Sequence, residues 1–357
     1  MRTILLNPGP VTLSPRVREA MLRADLCHRE PEFADLQDSL RRKLIRVYDL
    51  DPVTWAAVLL TGSGTAAVEA MLTSLVPAGG RVLILENGVY GERMTRIAST
   101  HGIDHERLAG GWTDPIDMSA VEQALRCNAF SHVAAVHHET TTGRLNDIAR
   151  LAEVAAAHGA RLLLDGVSSF GAEALDFEAW QLDACAATAG KCLHGVPGTA
   201  FVVVRRQALA GAPTRTLYFD LANYLAQQDK RTAPFTPSVQ TCYALDEALN
   251  EFFEAGGWRA RQSLFQERMT RVHETLLTLG IAALLPTTEC SCVLHSFELP
   301  PGHDFAAWHD ALKQAGFIIY AGQGMLSDRV FRISTMGDIS GDDLNRLLET
   351  LSRTLAD

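Results

Sequence analysis

The 357 residues contain no Cys-x-x-Cys pair, and the seven cysteines (Cys27, Cys127, Cys185, Cys192, Cys242, Cys290 and Cys292) are scattered and odd in number. That argues against a disulfide framework and fits free thiols in a reducing compartment. Cys290-Ser291-Cys292 is the nearest thing to a metal clip, but no matching ligands accompany it, so no metal is expected. Apolar runs never reach the roughly 18 residues of a membrane span. The stretch Met1–Pro8 has one basic residue and then breaks at proline, unlike a signal peptide. A cytoplasmic location, without a membrane partner, is the expectation. Basic residues are outnumbered 32 to 42, and a net charge of -10 disfavours a nucleic-acid binder with a broad basic surface. Internal repeats and low-complexity tracts are absent.

What is present is ordinary globular material, with 47% hydrophobic and 21% charged residues. The length suggests two domains, or one large and one small. Short runs of Val, Leu, Ile and Ala alternate with helical patterns. Ala56–Leu60, Arg81–Leu85, Val133–Val136, Arg161–Leu164, Ala184–Ala187 and Ala200–Val204 read as strands buried on both faces. Thr65–Val76 and Asp147–Ala157 read as helices between them. This alternation predicts an α/β fold with a mostly parallel sheet sandwiched by helices.

The rhythm changes near residue 240. Helical patterns over Gln240–Glu254 and Trp258–Leu279 lead into a smaller α+β unit. Its strands are expected at Cys292–Phe297, Phe317–Tyr320 and Val330–Ser334, with helices at Asp304–Gln314 and from Ser340 to Leu355. Ser340-Gly341-Asp342-Asp343 reads as an N-cap with an acidic first turn. The expected domains are a large one over 15–245 and a small one formed by 1–14 and 246–357.

Three constellations carry chemistry. Thr61-Gly62-Ser63-Gly64-Thr65-Ala66-Ala67 follows a strand and opens a helix, where free amides and the Ser63 and Thr65 hydroxyls suit an anion. An N-cap without ligand fits equally well. Gly62-x-Gly64-x-x-Ala67, with Glu86 at the next strand end, also matches a loose dinucleotide pattern. Asp165 ends a buried strand, where a carboxylate can hold a protonated pyridine nitrogen, a ribose or a metal, or simply cap the next segment. Lys191 lies in a glycine-rich loop just past a strand. A desolvated lysine loses its proton readily and can form a Schiff base, although a turn lysine on the surface is the common case. Taken together, an anion cup, a strand-end Asp and a loop Lys match pyridoxal 5'-phosphate chemistry, whereas a nicotinamide site explains only the first. His137, His138 and His194 have no carboxylate spacing to complete a metal site and are expected to be core or loop histidines.

The sequence resembles the class V, fold-type I aminotransferases almost end to end. The resemblance is carried by Asn7-Pro8-Gly9-Pro10-Val11, His28-Arg29-x-Pro31-Glu32-Phe33, Gly62-Ser63-Gly64-Thr65-x-Ala67-Val68-Glu69-Ala70 and Asn87-Gly88-x-Tyr90-Gly91-x-Arg93. His138-Glu139-Thr140-Thr141-Thr142-Gly143, Asp165-x-x-Ser168-Ser169-Phe170-Gly171, Lys191-Cys192-x-x-Gly195-Val196-Pro197-Gly198 and Phe331-Arg332-Ile333 continue it. Several of these forms are shared with alanine–glyoxylate and serine–pyruvate relatives, while Glu139–Gly143, Ser168–Gly171 and Lys191–Gly198 resemble more the branch acting on 2-aminoethylphosphonate and pyruvate. Alanine or serine with glyoxylate or pyruvate is the alternative. That branch carries a more acidic stretch where this chain has Cys27–Phe33, a difference that bears on amino-donor choice. Ala189-Gly190 before the lysine replaces a common Ala-Asn.

The resemblance implies the following roles. Lys191 would join the cofactor covalently and Asp165 would hold its ring nitrogen. Ser63, Gly64 and Thr65 would take the phosphate. Tyr90 and Val167 would flank the ring, and Thr140 would hydrogen-bond its hydroxyl. Thr236 would reach the phosphate in a neighbouring subunit, implying a homodimer with shared sites. Arg332, alternating with Phe331 and Ile333 on a strand, would grip the phosphonate or carboxylate of the substrates.

Overall fold

The computed structural model describes residues 2–300 and 302–354. Met1 of the amino-terminal stretch and Leu355, the expected end of the last helix, lie outside the described residues. Among those described, seven strands form the central sheet: β1 (Trp55–Gly62), β2 (Val82–Glu86), β3 (His105–Ala109), β4 (His132–Val136), β5 (Arg161–Asp165), β6 (Leu182–Thr188) and β7 (Gly198–Arg205). Their order is β1-β7-β6-β5-β4-β2-β3. The run from β6 to β3 is parallel, and β7 lies antiparallel between β1 and β6. The sheet is therefore mostly parallel, as the alternation of apolar runs and helical patterns implies.

The continuous apolar strands bury both faces. Ala57 and Leu59 point into one core, with Phe170, Phe177 and Phe201. Ala56, Val58 and Leu60 point into the other, with Met71 and Ile84. Side chains on a strand alternate, so each strand serves both layers and every position must be apolar. β3, His-Glu-Arg-Leu-Ala, is different. It is an edge strand, half exposed, and its polar residues gave no strand signal.

Leu294–Glu298, Val330–Ser334 and Tyr320–Ala321 form an antiparallel sheet in the carboxy-terminal unit. The expected single strand Phe317–Tyr320 is split. Phe317–Ile318 pairs in parallel with Ile4–Leu5, and Tyr320–Ala321 turns to join the other sheet. The N-terminal segment is thus tied to the carboxy-terminal unit. Ile4, Leu6, Phe297, Phe317 and Phe331 share its core. The helix Val239–Glu254 runs through residue 245 without a break. No helix among the described residues is long and apolar enough to cross a membrane.

Candidate active site

Strand register gathers three loops at one edge of the sheet. Gly62 pairs with Gly198, Thr188 with Ala200, and Asp165 with Ala186. The segments after β1, β5 and β6 therefore emerge side by side at the carboxyl end of the parallel strands, where α/β sheets bind ligands. A cavity of about 180 Å³ opens there. Ser63, Gly64, Thr65, Tyr90, Asp165, Val167 and Lys191 all line it.

Ser63 stands at the N-cap of the helix Gly64–Leu75 but makes no capping hydrogen bond to it. The Ala66 amide turns back to the Ser63 carbonyl at 2.9 Å, and the Gly64 and Thr65 amides have no acceptor among the described residues, which leaves them to an anion. A Cβ at Gly64 would lie 2.7 Å from Val167 Cγ1, so glycine is what lets the helix start approach the Val167 wall. Tyr90 lies in the first turn of the helix Val89–Thr100, and its amide donates to Glu139 Oε2 at 3.2 Å.

The Asp165 carboxylate accepts one hydrogen bond among the described residues, from the Val167 amide at 2.9 Å. Burial pushes its carboxyl up to about 6, while Arg93 and Lys191 oppose the rise. Burial also pulls the Lys191 ammonium down to about 8, with Arg332 and Arg93 adding to the fall and Cys192 and Asp165 resisting it. Lys191 Nζ donates to the Pro8 carbonyl. Gly9, at φ +130°, has no room for a Cβ, which would sit 2.6 Å from that nitrogen. The lysine loop closes on itself through His194 N to Lys191 O at 2.9 Å and Gly195 N to Ala189 O at 2.8 Å.

Arg332 is 5% exposed on the strand Val330–Ser334. Its Nε donates to Ala321 O at 2.9 Å and its Nη1 to Thr140 O at 3.0 Å, with Gln323 Oε1 at 3.5 Å. Nη2 donates to nothing among the described residues. Burial lowers its pKa, and Glu139 and Tyr90 partly offset this. Glu139 is fully buried and accepts from the Thr141 amide and hydroxyl. Burial raises its carboxyl to about 7. The sequence motifs contain Glu139 and Arg93 but assign neither a role, and they give none to Gln323 or Thr188; Arg93 and Thr188 line the Lys191 cavity. For Arg93 the signal was available, one helical turn after Tyr90.

Thr140 is buried and reaches Arg332 through its carbonyl, while Thr236 is exposed and lies elsewhere. Thr236 lines a separate cleft with Phe33, Thr61, Tyr218 and Phe235. Glu86, the residue of the dinucleotide pattern, bonds the Thr95 hydroxyl, lies 3.5 Å from Arg107 and lines a different cavity. His137, His138 and His194 are internal. Burial drives the first two down to about 3 and about 4, and His194 Nε2 accepts from the Gly337 amide. The described residues contain no cluster of three metal-ligating side chains, and their cysteines are unpaired.

Pyridoxal 5'-phosphate fits these residues. The uncapped helix start suits its phosphate, and the Val167 and Tyr90 side chains suit a flat ring. Asp165 has a carboxylate oxygen to spare for the ring nitrogen, and Lys191 has an amine of lowered basicity.

The family model for aminotransferase class-V matches residues 28–343. The 2-aminoethylphosphonate–pyruvate transaminase of Bacteroides fragilis is 36% identical over 98% of each chain. Its counterpart in Vibrio cholerae is 36% identical over 99% of this chain and 97% of the other. Among solved structures, the alanine–glyoxylate aminotransferase of Nostoc sp. superimposes with TM-score 0.92 at 25% identity, covering 99% of this chain and 96% of that one. An aspartate aminotransferase of Thermus thermophilus gives 0.91 at 29% identity, with 99% of each chain covered. The chain belongs to the class V aminotransferases and is a pyridoxal-phosphate-dependent enzyme.

Proposed function

We propose that the enzyme moves the amino group of 2-aminoethylphosphonate to pyruvate, releasing phosphonoacetaldehyde and forming alanine. The observation that carries this is the end-to-end likeness to transaminases named for these two substrates. Arg332 supports it: a buried guanidinium with a free nitrogen suits the phosphonate of one substrate and the carboxylate of the other in turn.

The cofactor supplies an electron-poor ring that stabilises the charge left when a C–H bond next to nitrogen breaks. The chain's own residues do the rest. Asp165, ionised above about pH 6, holds a proton on the ring nitrogen. Lys191, with its amine held down to about 8, would take the proton from the nitrogen-bearing carbon of the substrate and deliver it to the cofactor carbon on the other side of that nitrogen. Ser63, Gly64 and Thr65 hold the phosphate. Tyr90 and Val167 would flank the ring, and Thr140 would bond its hydroxyl. Thr236 of the partner subunit completes the phosphate site in a homodimer. Residues 1–14 and 246–357 act as the small unit over a large domain of 15–245.

The likeness to the Nostoc enzyme favours a second reading, alanine or serine with glyoxylate. A spectral titration separates the two. Adding 2-aminoethylphosphonate should bleach the resting absorbance and pyruvate should restore it. Bleaching by alanine or serine, restored by glyoxylate, with no response to 2-aminoethylphosphonate, would establish the second reading.

A further inference from the structure

Arg93 brings a third charge to the cavity beside Asp165 and Lys191. It follows Tyr90 by three residues on the helix Val89–Thr100, so the two share a face. Its Nη1 donates to Thr65 Oγ1 at 3.0 Å, and its guanidinium carbon lies 4.7 Å from the Tyr90 ring centroid. One guanidinium therefore touches a hydroxyl of the anion cradle and a wall of the ring slot. Among the described residues Arg93 has no carboxylate within ion-pair distance, so its charge is available to a ligand. Thr65 gives up an oxygen lone pair to Arg93, which turns its own proton away from the guanidinium. No acceptor for that proton is found among the described residues.

We propose that Arg93 is a positioning residue, which orients the Thr65 hydroxyl as a donor to the cofactor phosphate and pins the Tyr90 ring against the cofactor. The proposal rests on pyridoxal phosphate being the cofactor. It has an electrostatic corollary. Arg93 disfavours a proton on Lys191, together with Arg332 and against Asp165 and Cys192.

The test uses the full-length holoenzyme with Arg93→Met, Arg93→Lys and Thr65→Val. Cofactor affinity is read by equilibrium dialysis, and the titration midpoint of the lysine-linked cofactor by its visible absorbance. Arg93→Met should weaken cofactor binding about tenfold or more and raise the midpoint by about one pH unit, since a neighbouring cation is lost. Arg93→Lys should restore the midpoint but not the affinity, because a point charge cannot hold both partners. Thr65→Val should lose affinity with the midpoint unmoved. Wild-type affinity and midpoint in Arg93→Met would overturn the proposal, as would full restoration of affinity by lysine. If Arg93→Met does not fold, Thr65→Val decides: wild-type affinity there overturns the assignment. A wild-type protein that never develops the cofactor absorbance would instead sink the cofactor reading itself.

Discussion

Burial holds the Lys191 amine at about 8, against an ordinary value of 10.5. The unfolded chain therefore binds more protons between those values, and below pH 8 the folded protein carries the full cost. Replacing Lys191 by Met should end turnover and yet stabilise the cofactor-free protein by roughly 1–3 kcal/mol at pH 7. Thermal melts should show the gap closing as pH rises from 8 toward 10.5. The same group predicts that the apoprotein captures pyridoxal phosphate faster as pH climbs through 8, and poorly below about 6, where Asp165 is protonated. Stopped-flow absorbance would check this. Arg332→Ala should cost about 100-fold or more in kcat/KM with both substrates, because the buried anion partner vanishes and two carbonyls lose their donor. Asp165 and Lys191 were legible in the sequence because each sits at the end of an apolar run. Glu139 was not, because its role as a buried acceptor for Tyr90 and Thr141 depends on a fold that brings residues 49 apart together.

At the scale of elements, two helix starts show how local chemistry divides between stability and function. Ser340 caps the helix Gly341–Thr354 reciprocally: Asp343 N donates to Ser340 Oγ at 3.0 Å, and Ser340 N to Asp343 Oδ2 at 3.2 Å. Ser340→Ala should cost about 1 kcal/mol in denaturant unfolding and leave turnover unchanged. The Ser63 helix start is left uncapped, and its N-terminal glycine is a weak helix former. Gly64→Ala would gain about 1 kcal/mol of helix propensity but press Val167 into the ring slot. The expected result is a cofactor affinity reduced at least tenfold with a melting temperature close to wild type. The Ser340 box was readable from four consecutive residues. The split of Phe317–Tyr320 between two sheets was not, because its partner Ile4–Leu5 is over 300 residues away and leaves no mark on the local pattern.

For the whole molecule, the shared-site reading makes a prediction that one chain alone cannot satisfy. Lys191→Ala and Thr236→Glu should each be impaired as homodimers. Mixed and allowed to exchange, half the dimers become hybrids with one intact site, restoring about a quarter of wild-type activity. No recovery despite confirmed exchange would place Thr236 outside the phosphate site. The layered architecture was legible because every strand of the central sheet but the edge strand β3 is built on an apolar run. The arrangement of the cleft around Thr236 was not, since its aromatic lining from Tyr218 and Phe235 comes from loop residues with no periodicity.

The reversed strand β7 has a consequence for assembly. It pairs on one side with β6, its neighbour in sequence, and on the other with β1, more than 130 residues earlier. Until it is wedged between them, the lysine loop is tethered at one end only and β1 has no partner in the sheet. Closing so long a loop is slow, so the reactive amine should be organised among the last events of folding. A nascent chain halted before residue 198 would then be blind to the vitamin, and ring capture would serve as a built-in reporter of completed folding.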